Sequence, residues 1–444
     1  MEFPKVLIFG QPFNSFTGGG ITLTNLFKGW PKDKIVVTYL GHGLMNVTTD
    51  VCDTFYQLGS EEHKWIFPFN LIQRKFESGI KTFSTSEKPR INSIQKGLRF
   101  RFVNKIFYPF LRWFGLFHIV SKIKVSESLK LWLDDFKPEV LYLQVSTRED
   151  ILFSTDLINL LKIPTVVHIM DDWPSTISDS GLFKDFWNRK IDGEFRRLLG
   201  KINFHMSISD AMAAEYERRY GHKFVPFHNP IETKIWESFQ KKDYKINRNY
   251  VKVLYSGRIG DKGIAFSLTE VAEAIDSMNS DSLTVKFHIQ TATKTEWILE
   301  LLKKYKSVVF NDYAEYSEIP GIFSDADILV LANDFSREGI RYLKLSMPTK
   351  ASEYMISGTP VLVYASSETA VSKFFRENDC GYCIEKEGTA EIRDGLSLLI
   401  ENEDLRKKLS NNAKIVAKSR FDSQIVRNDF QNILINLKNI NNVH

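Results

Sequence analysis

Twice in this chain a short, largely apolar run gives way to a glycine-bearing turn and then to helical spacing. Lys5-Val-Leu-Ile-Phe9 leads through Gly18-Gly19-Gly20 into Ile21–Trp30, and Val251-Lys-Val-Leu-Tyr255 leads into the turn Ser256–Gly263. Runs apolar on both faces are the mark of strands covered by helices on both sides, the situation of a parallel sheet. Further runs fall at Ile35–Tyr39, Val140–Leu143 and Thr165–Ile169, then at Thr284–Ile289, Val308–Phe310, Ile328–Leu331 and Pro360–Tyr364, with helical stretches such as Arg148–Leu161 and Asp210–Tyr220 between some of them. The alternation predicts an α/β fold, and 444 residues are enough for two Rossmann-like parallel-sheet domains. The Lys-, Asp- and Asn-rich stretch Ile231–Tyr250 is the expected linker. Domain one is then 1–232, domain two is 233–421, and 422–444 forms an amphipathic helix that packs back towards domain one.

Chemistry is expected at the turns. Tyr255-Ser-Gly-Arg-Ile-Gly-Asp-Lys-Gly263 would offer backbone N–H groups, a helix N-terminus and the cations Arg258 and Lys262 to a diphosphate. A surface turn with two solvated charges is the plainer reading. Lys350 and Glu353 share a helical face just before Gly358 ends the helix. There a carboxylate can grip ribose hydroxyls while the ammonium faces phosphate; the alternative is an exposed ion pair of little worth. After Thr165–Ile169 come Met170, Asp171 and Asp172. One of the two aspartates is the candidate to orient an acceptor or take its proton, against simple strand-end capping. His168 shares a strand face with Met170 and reads as a core residue. Cys380 and Cys383 have redox spacing inside a structural setting, and three cysteines are too few for a disulfide framework. No metal-ligand cluster is evident.

In this order, Gly257-Arg258 through Lys262-Gly263, Pro348-x-Lys350-x-x-Glu353-Tyr354 and Gly358-Thr-Pro360 resemble the C-terminal domain of glycosyltransferase family 4. Ser207–Met212, Tyr220-Gly221, Asn229-Pro230 and Phe323–Asp327 fit the same family, and the resemblance covers most of the chain outside Gln57–Asp135. It implies the GT-B fold, two domains facing across a deep cleft. It also implies retaining transfer of a hexose-type sugar from a UDP- or GDP-type donor, without a metal or other cofactor, to a glycan or lipid-linked glycan in surface polysaccharide synthesis. Carried across by position, Arg258 and Lys262 bind the diphosphate, with Gly19 and Gly20 in the glycine loop near it. Glu353 binds the ribose, with Lys350 and Thr349 beside it, and Asp312 and Tyr313 lie where the nucleobase is met. Two positions depart from the family. The first motif glutamate is replaced by Leu345, leaving Glu338 as its substitute, and the usual His-Asp at the strand end is Met170-Asp171. These departures keep a sugar-nucleotide epimerase of the same fold, or a catalytically idle homologue, as alternatives.

The net charge of +5 is uneven: Lys64 to Lys130 holds fourteen Lys/Arg against three Glu. Within this insertion, about 60–135, a helix over Arg99–Val120 would carry Arg101, Lys105, Tyr108 and Arg112 on one side and Phe102, Ile106, Phe110, Trp113, Phe114 and Phe117 on the other, kinked at Pro109. Such a helix suits an anionic membrane interface, or its apolar side packs on the core. Nucleic acid is not an expected partner, because no nucleic-acid motif accompanies the charge. The N-terminus reads as a strand rather than a secretory signal, and the expected location is the cytoplasm, at the inner face of the cell membrane.

Overall fold

A computed structural model describes residues 2–440 except 16, 84–102, 179, 261, 262, 292–294 and 313. The chain divides into two compact units, residues 1–227 with 427–444 (unit 1) and residues 228–426 (unit 2). Each is built around its own parallel sheet with helices, the α/β architecture that the alternating apolar runs predict.

The strands of unit 1 are β1 (Val6–Phe9), β2 (Ile35–Leu40), β3 (Thr54–Leu58), β4 (His63–Trp65), β5 (Gly79–Thr82), β6 (Ser121–Ile123), β7 (Val140–Leu143), β8 (Thr165–Ile169), β9 (Phe204–Ser207) and β10 (Phe224–Pro226). Eight of them form one sheet in the order β10-β9-β8-β7-β1-β2-β3-β5. All its pairings are parallel except the antiparallel β5 at the edge. β1 and β7 are buried at every position, which is why they read as unbroken apolar runs. Strand order reverses between β1 and β7, so the loops leaving their carboxyl ends open a crevice of the kind that binds ligands in doubly wound sheets. Residues from Arg427 onward pack in this unit, with the Phe430 ring against Phe27, Tyr142 and Phe227.

Unit 2 has β11 (Val251–Ser256), β12 (Val285–Gln290), β13 (Val308–Asn311), β14 (Ile328–Ala332), β15 (Val361–Tyr364) and β16 (Tyr382–Ile384) in the order β13-β12-β11-β14-β15-β16. Every pairing is parallel. Here the order reverses between β11 and β14, and Ser256–Gly263 leaves the carboxyl end of β11 at that point.

Three expectations change. Residues 231–250 are not a bare linker: they hold the short helix Thr233–Glu237, with Trp236 and Tyr244 buried in unit 2. The units part at Phe227/His228. The insertion is stitched into unit 1 through the buried carboxylate of Glu62, which accepts hydrogen bonds from Tyr56, Ser78, Ser126 and the Gly59 N–H. Its long amphipathic helix is broken. After a single π turn at Val103–Phe107, an α-helix runs only from Tyr108 to Trp113, and Gly115 turns left-handed at φ 65°. Pro109 sits in the first turn of that helix, where its missing N–H costs nothing, so it starts a helix rather than kinking one. Arg99, Arg101 and Phe102 lie outside the described residues. No helix is long and apolar enough to cross a membrane among the described residues.

Candidate functional site

In unit 2 the site starts from a tyrosine pair. The Tyr354 hydroxyl accepts from the Ser256 N–H at 2.8 Å, and the Tyr255 hydroxyl donates to the Arg258 carbonyl at 2.7 Å. Between these two anchors Gly257 adopts φ +148°, a conformation that L side chains rarely take. A Cβ there would stand 2.9 Å from the Lys350 ammonium, so the glycine lets backbone and lysine approach each other. Arg258 is exposed at this turn, and Lys262 lies outside the described residues.

Lys350 opens the helix Lys350–Ser357, which Gly358 ends in the left-handed conformation. Its ammonium sits 3.7 Å from the Tyr255 ring centroid, a cation–π contact, and burial pushes its pKa down to about 7. One turn on, the Glu353 carboxylate accepts from the Tyr316 hydroxyl at 3.0 Å, and burial pushes it up to about 7. The two side chains therefore use tyrosines rather than each other, which replaces the surface ion-pair reading. Among the described residues neither has a partner of opposite charge. Thr349 occupies the cap position of this helix with no side-chain capping bond, and the Ala351 N–H in the first turn donates to the Pro348 carbonyl at 2.9 Å.

The helix after the Gly257 turn behaves otherwise. Asp334, at the end of β14, accepts from the Ser267 N–H at 2.8 Å in the first turn of Ala265–Met278. The helix N-terminus expected to face phosphate thus already holds a carboxylate, and burial raises that carboxyl's pKa. Sequence reasoning missed Asp334, Tyr255 and Tyr316; the apolar character of β11 hid the role of Tyr255, and nothing in the local pattern marked the other two. Glu338 is exposed in the first turn of Arg337–Leu343, and Leu345 is buried. Asp312 is exposed after β13, its carbonyl accepting from the Gln290 amide, while Tyr313 lies outside the described residues. Cys380 and Cys383 are free thiols that burial pushes up to about 12, inert as nucleophiles at neutral pH.

In unit 1 the glycines are not a loop before the helix but its first turn, Gly18–Phe27, capped by the Thr17 hydroxyl on the Gly20 N–H. Gly19 and Gly20 pack so tightly that a Cβ would meet the Gln11 amide oxygen at 2.9 Å and the Asn14 side chain at 2.2 Å. Gly10, at φ +96°, lies against the Gln144 carbonyl at the β1/β7 reversal. His168 is buried, its ring nitrogen 2.6 Å from the Tyr142 hydroxyl, in keeping with a core role. The two aspartates separate. Asp172 is buried, forms a two-pronged pair with Arg219 at 2.8 and 3.1 Å and accepts from Tyr216. Those three bonds fix the carboxylate against the helix Asp210–Tyr220, the position of a frame element. Asp171 is exposed at the end of β8.

Residues 237–416 match the family described as Glycosyl transferases group 1, a stretch that falls wholly in unit 2. No curated protein matches the chain in sequence. Among solved structures, the chain is similar to sucrose-phosphate synthase from Thermosynechococcus elongatus (10% identity, TM-score 0.62, covering 97% of this chain and 98% of that one). It is similar to the Anabaena protein HepE in complex with UDP and glucose (12%, 0.60, 98% and 100%). A third is WaaG, a glycosyltransferase involved in lipopolysaccharide biosynthesis (13%, 0.57, 97% and 99%). At these identities the likeness establishes the fold, two parallel-sheet α/β domains of the GT-B type.

Proposed function

We propose that the protein is a glycosyltransferase in which unit 2 binds the nucleoside diphosphate of a sugar donor and unit 1 supplies groups that meet the acceptor. The observation that carries this reading is the pairing of Lys350 and Glu353 on the first turn of one helix beside Gly257, each in contact with a tyrosine and, among the described residues, with no partner of opposite charge. A diphosphate supplies the missing anion for Lys350, and ribose hydroxyls donate to Glu353. The match of this unit to the group 1 family and the UDP bound by HepE support the same assignment.

The donor is a UDP- or GDP-type hexose, and transfer retains anomeric configuration. As the nucleoside diphosphate departs, charge grows on its β-phosphate, where Arg258, Lys350 and Lys262 stabilise it. Glu338 and Thr349 are the remaining candidates for donor contacts. Asp171 is the group to orient or deprotonate the acceptor hydroxyl. The acceptor is a glycan or lipid-linked glycan of a surface polysaccharide, which sets the enzyme in the cytoplasm at the inner membrane face. The scheme uses no metal, so transfer should survive a chelator. Incubation with labelled UDP- and GDP-hexoses tests it: sugar transferred to acceptor supports the reading, whereas an epimerised donor or binding without turnover replaces it by an epimerase or an idle homologue. Arg258→Ala should lower turnover about a hundredfold with the fold intact.

A further inference from the structure

The exposed large apolar side chains of unit 1 concentrate on three segments that touch one another, 66–72, 106–114 and 182–186. Phe67 is 77% exposed, Leu71 75%, Trp113 57% and Leu182 64%. Backbone ties the last two, the Leu182 N–H donating to the Trp113 carbonyl at 2.8 Å, and the Ile66 N–H donates to the Val120 carbonyl a little beyond the second. Rings tie the first two, with Phe107 set against both Trp65 and Phe69. The broken helix thus presents Ile106, Phe110, Trp113 and Phe114 outward on a folded platform, while Leu111 packs inward. Apolar surface gathered in this way on a soluble domain marks an interaction surface.

The charge around it chooses the occupant. Lys64, Arg74, Lys105, Arg112, Lys122 and Lys184 are exposed on the same or adjoining segments. Lys64 and Lys122 stand directly opposite one another across the antiparallel β4–β6 pair, an arrangement of like charges that costs stability unless an anion sits over it. Among the described residues none of Lys64, Lys105, Arg112 and Lys122 is in an ion pair. Protein interfaces are depleted in lysine, whereas anionic lipid surfaces attract it.

We propose that this face of unit 1 is a peripheral membrane-binding surface selective for anionic phospholipid. Phe67, Leu71, Trp113 and Leu182 enter the acyl boundary while the lysines and Arg112 meet lipid phosphates. The inference rests on neither the donor nor the acceptor chemistry. It is tested by sedimenting the full chain with vesicles of phosphatidylcholine alone and with roughly 30 mol% phosphatidylglycerol added. Binding should be at least about tenfold tighter to the anionic vesicles and should be lost near about 0.5 M salt. A Leu71→Ser/Trp113→Ser variant and a Lys64→Glu/Lys122→Glu variant should each bind about tenfold more weakly while their affinity for UDP stays that of the parent. Vesicle binding that ignores anionic lipid, or variants that bind vesicles as the parent does, would overturn it. So would variants that merely turn a dimer into a monomer, which would make the face a self-association surface. Titration with UDP on the same samples separates failure here from failure of the nucleotide site.

Discussion

Lys350 and Glu353 titrate near neutrality because burial disfavours both charges. For Glu353 the folded state binds more protons than the unfolded state between 4.5 and about 7, so its contribution to stability falls as pH rises across that window and stays reduced above it. Glu353→Gln should therefore raise the melting temperature at pH 8 by the equivalent of about 1–2 kcal/mol, change little at pH 4, and weaken UDP binding at both. For Lys350 the sign is opposite: the folded state gives up its proton first, and stability is lost as pH falls from 10.5 through about 7. A diphosphate that favours the charged ammonium should draw in a proton. The enthalpy of UDP binding at pH 8 should then vary with buffer ionisation enthalpy, and that dependence should vanish in Lys350→Met. At the other end of the chemistry, Asp172→Asn should cost about 1–3 kcal/mol by weakening the pair with Arg219, which keeps Glu215 as its remaining carboxylate, visible in urea unfolding. Asp171→Asn should reduce turnover. The sequence showed Lys350, Glu353 and Arg258 because their spacing is local. It did not separate Asp171 from Asp172, since the difference is made by Arg219 on a distant helix.

At the scale of elements, strands buried on both faces were readable to within a residue or two: β7 and β8 fall where the apolar runs do, and the helices Arg148–Leu161 and Asp210–Tyr220 coincide with their predicted spans. Strands with a mixed pattern were not. β5 (Gly-Ile-Lys-Thr) and β9 (Phe-His-Met-Ser) lack an unbroken apolar run, and only their neighbours in the sheet define them. The basic helix was misjudged for a related reason. Its periodicity was real, but Gly115 accepts a left-handed turn packed against Trp187, and that contact ends the helix. Glu62 shows how the insertion is held. Glu62→Ala would leave two or more buried donors unsatisfied, and should cost at least about 3 kcal/mol. Hydrogen exchange should then report loss of protection in β5 and in the helix Glu127–Phe136 while unit 2 is unaffected.

For the whole molecule, two units with separate cores should unfold in two calorimetric steps, and UDP should raise only the step that belongs to unit 2. A shift of both steps by the same amount would assign nucleotide contacts to both units. The lowered pKa of Lys350 at the proposed donor site reaches further than affinity. If Lys350 charges as the donor enters and discharges as the spent nucleotide leaves, each turnover exchanges one proton with the solvent on a schedule set by product release. Alkaline conditions would then hasten the exit of the nucleoside diphosphate while weakening capture of the next donor, so the rate-limiting event would change identity across the physiological range of pH.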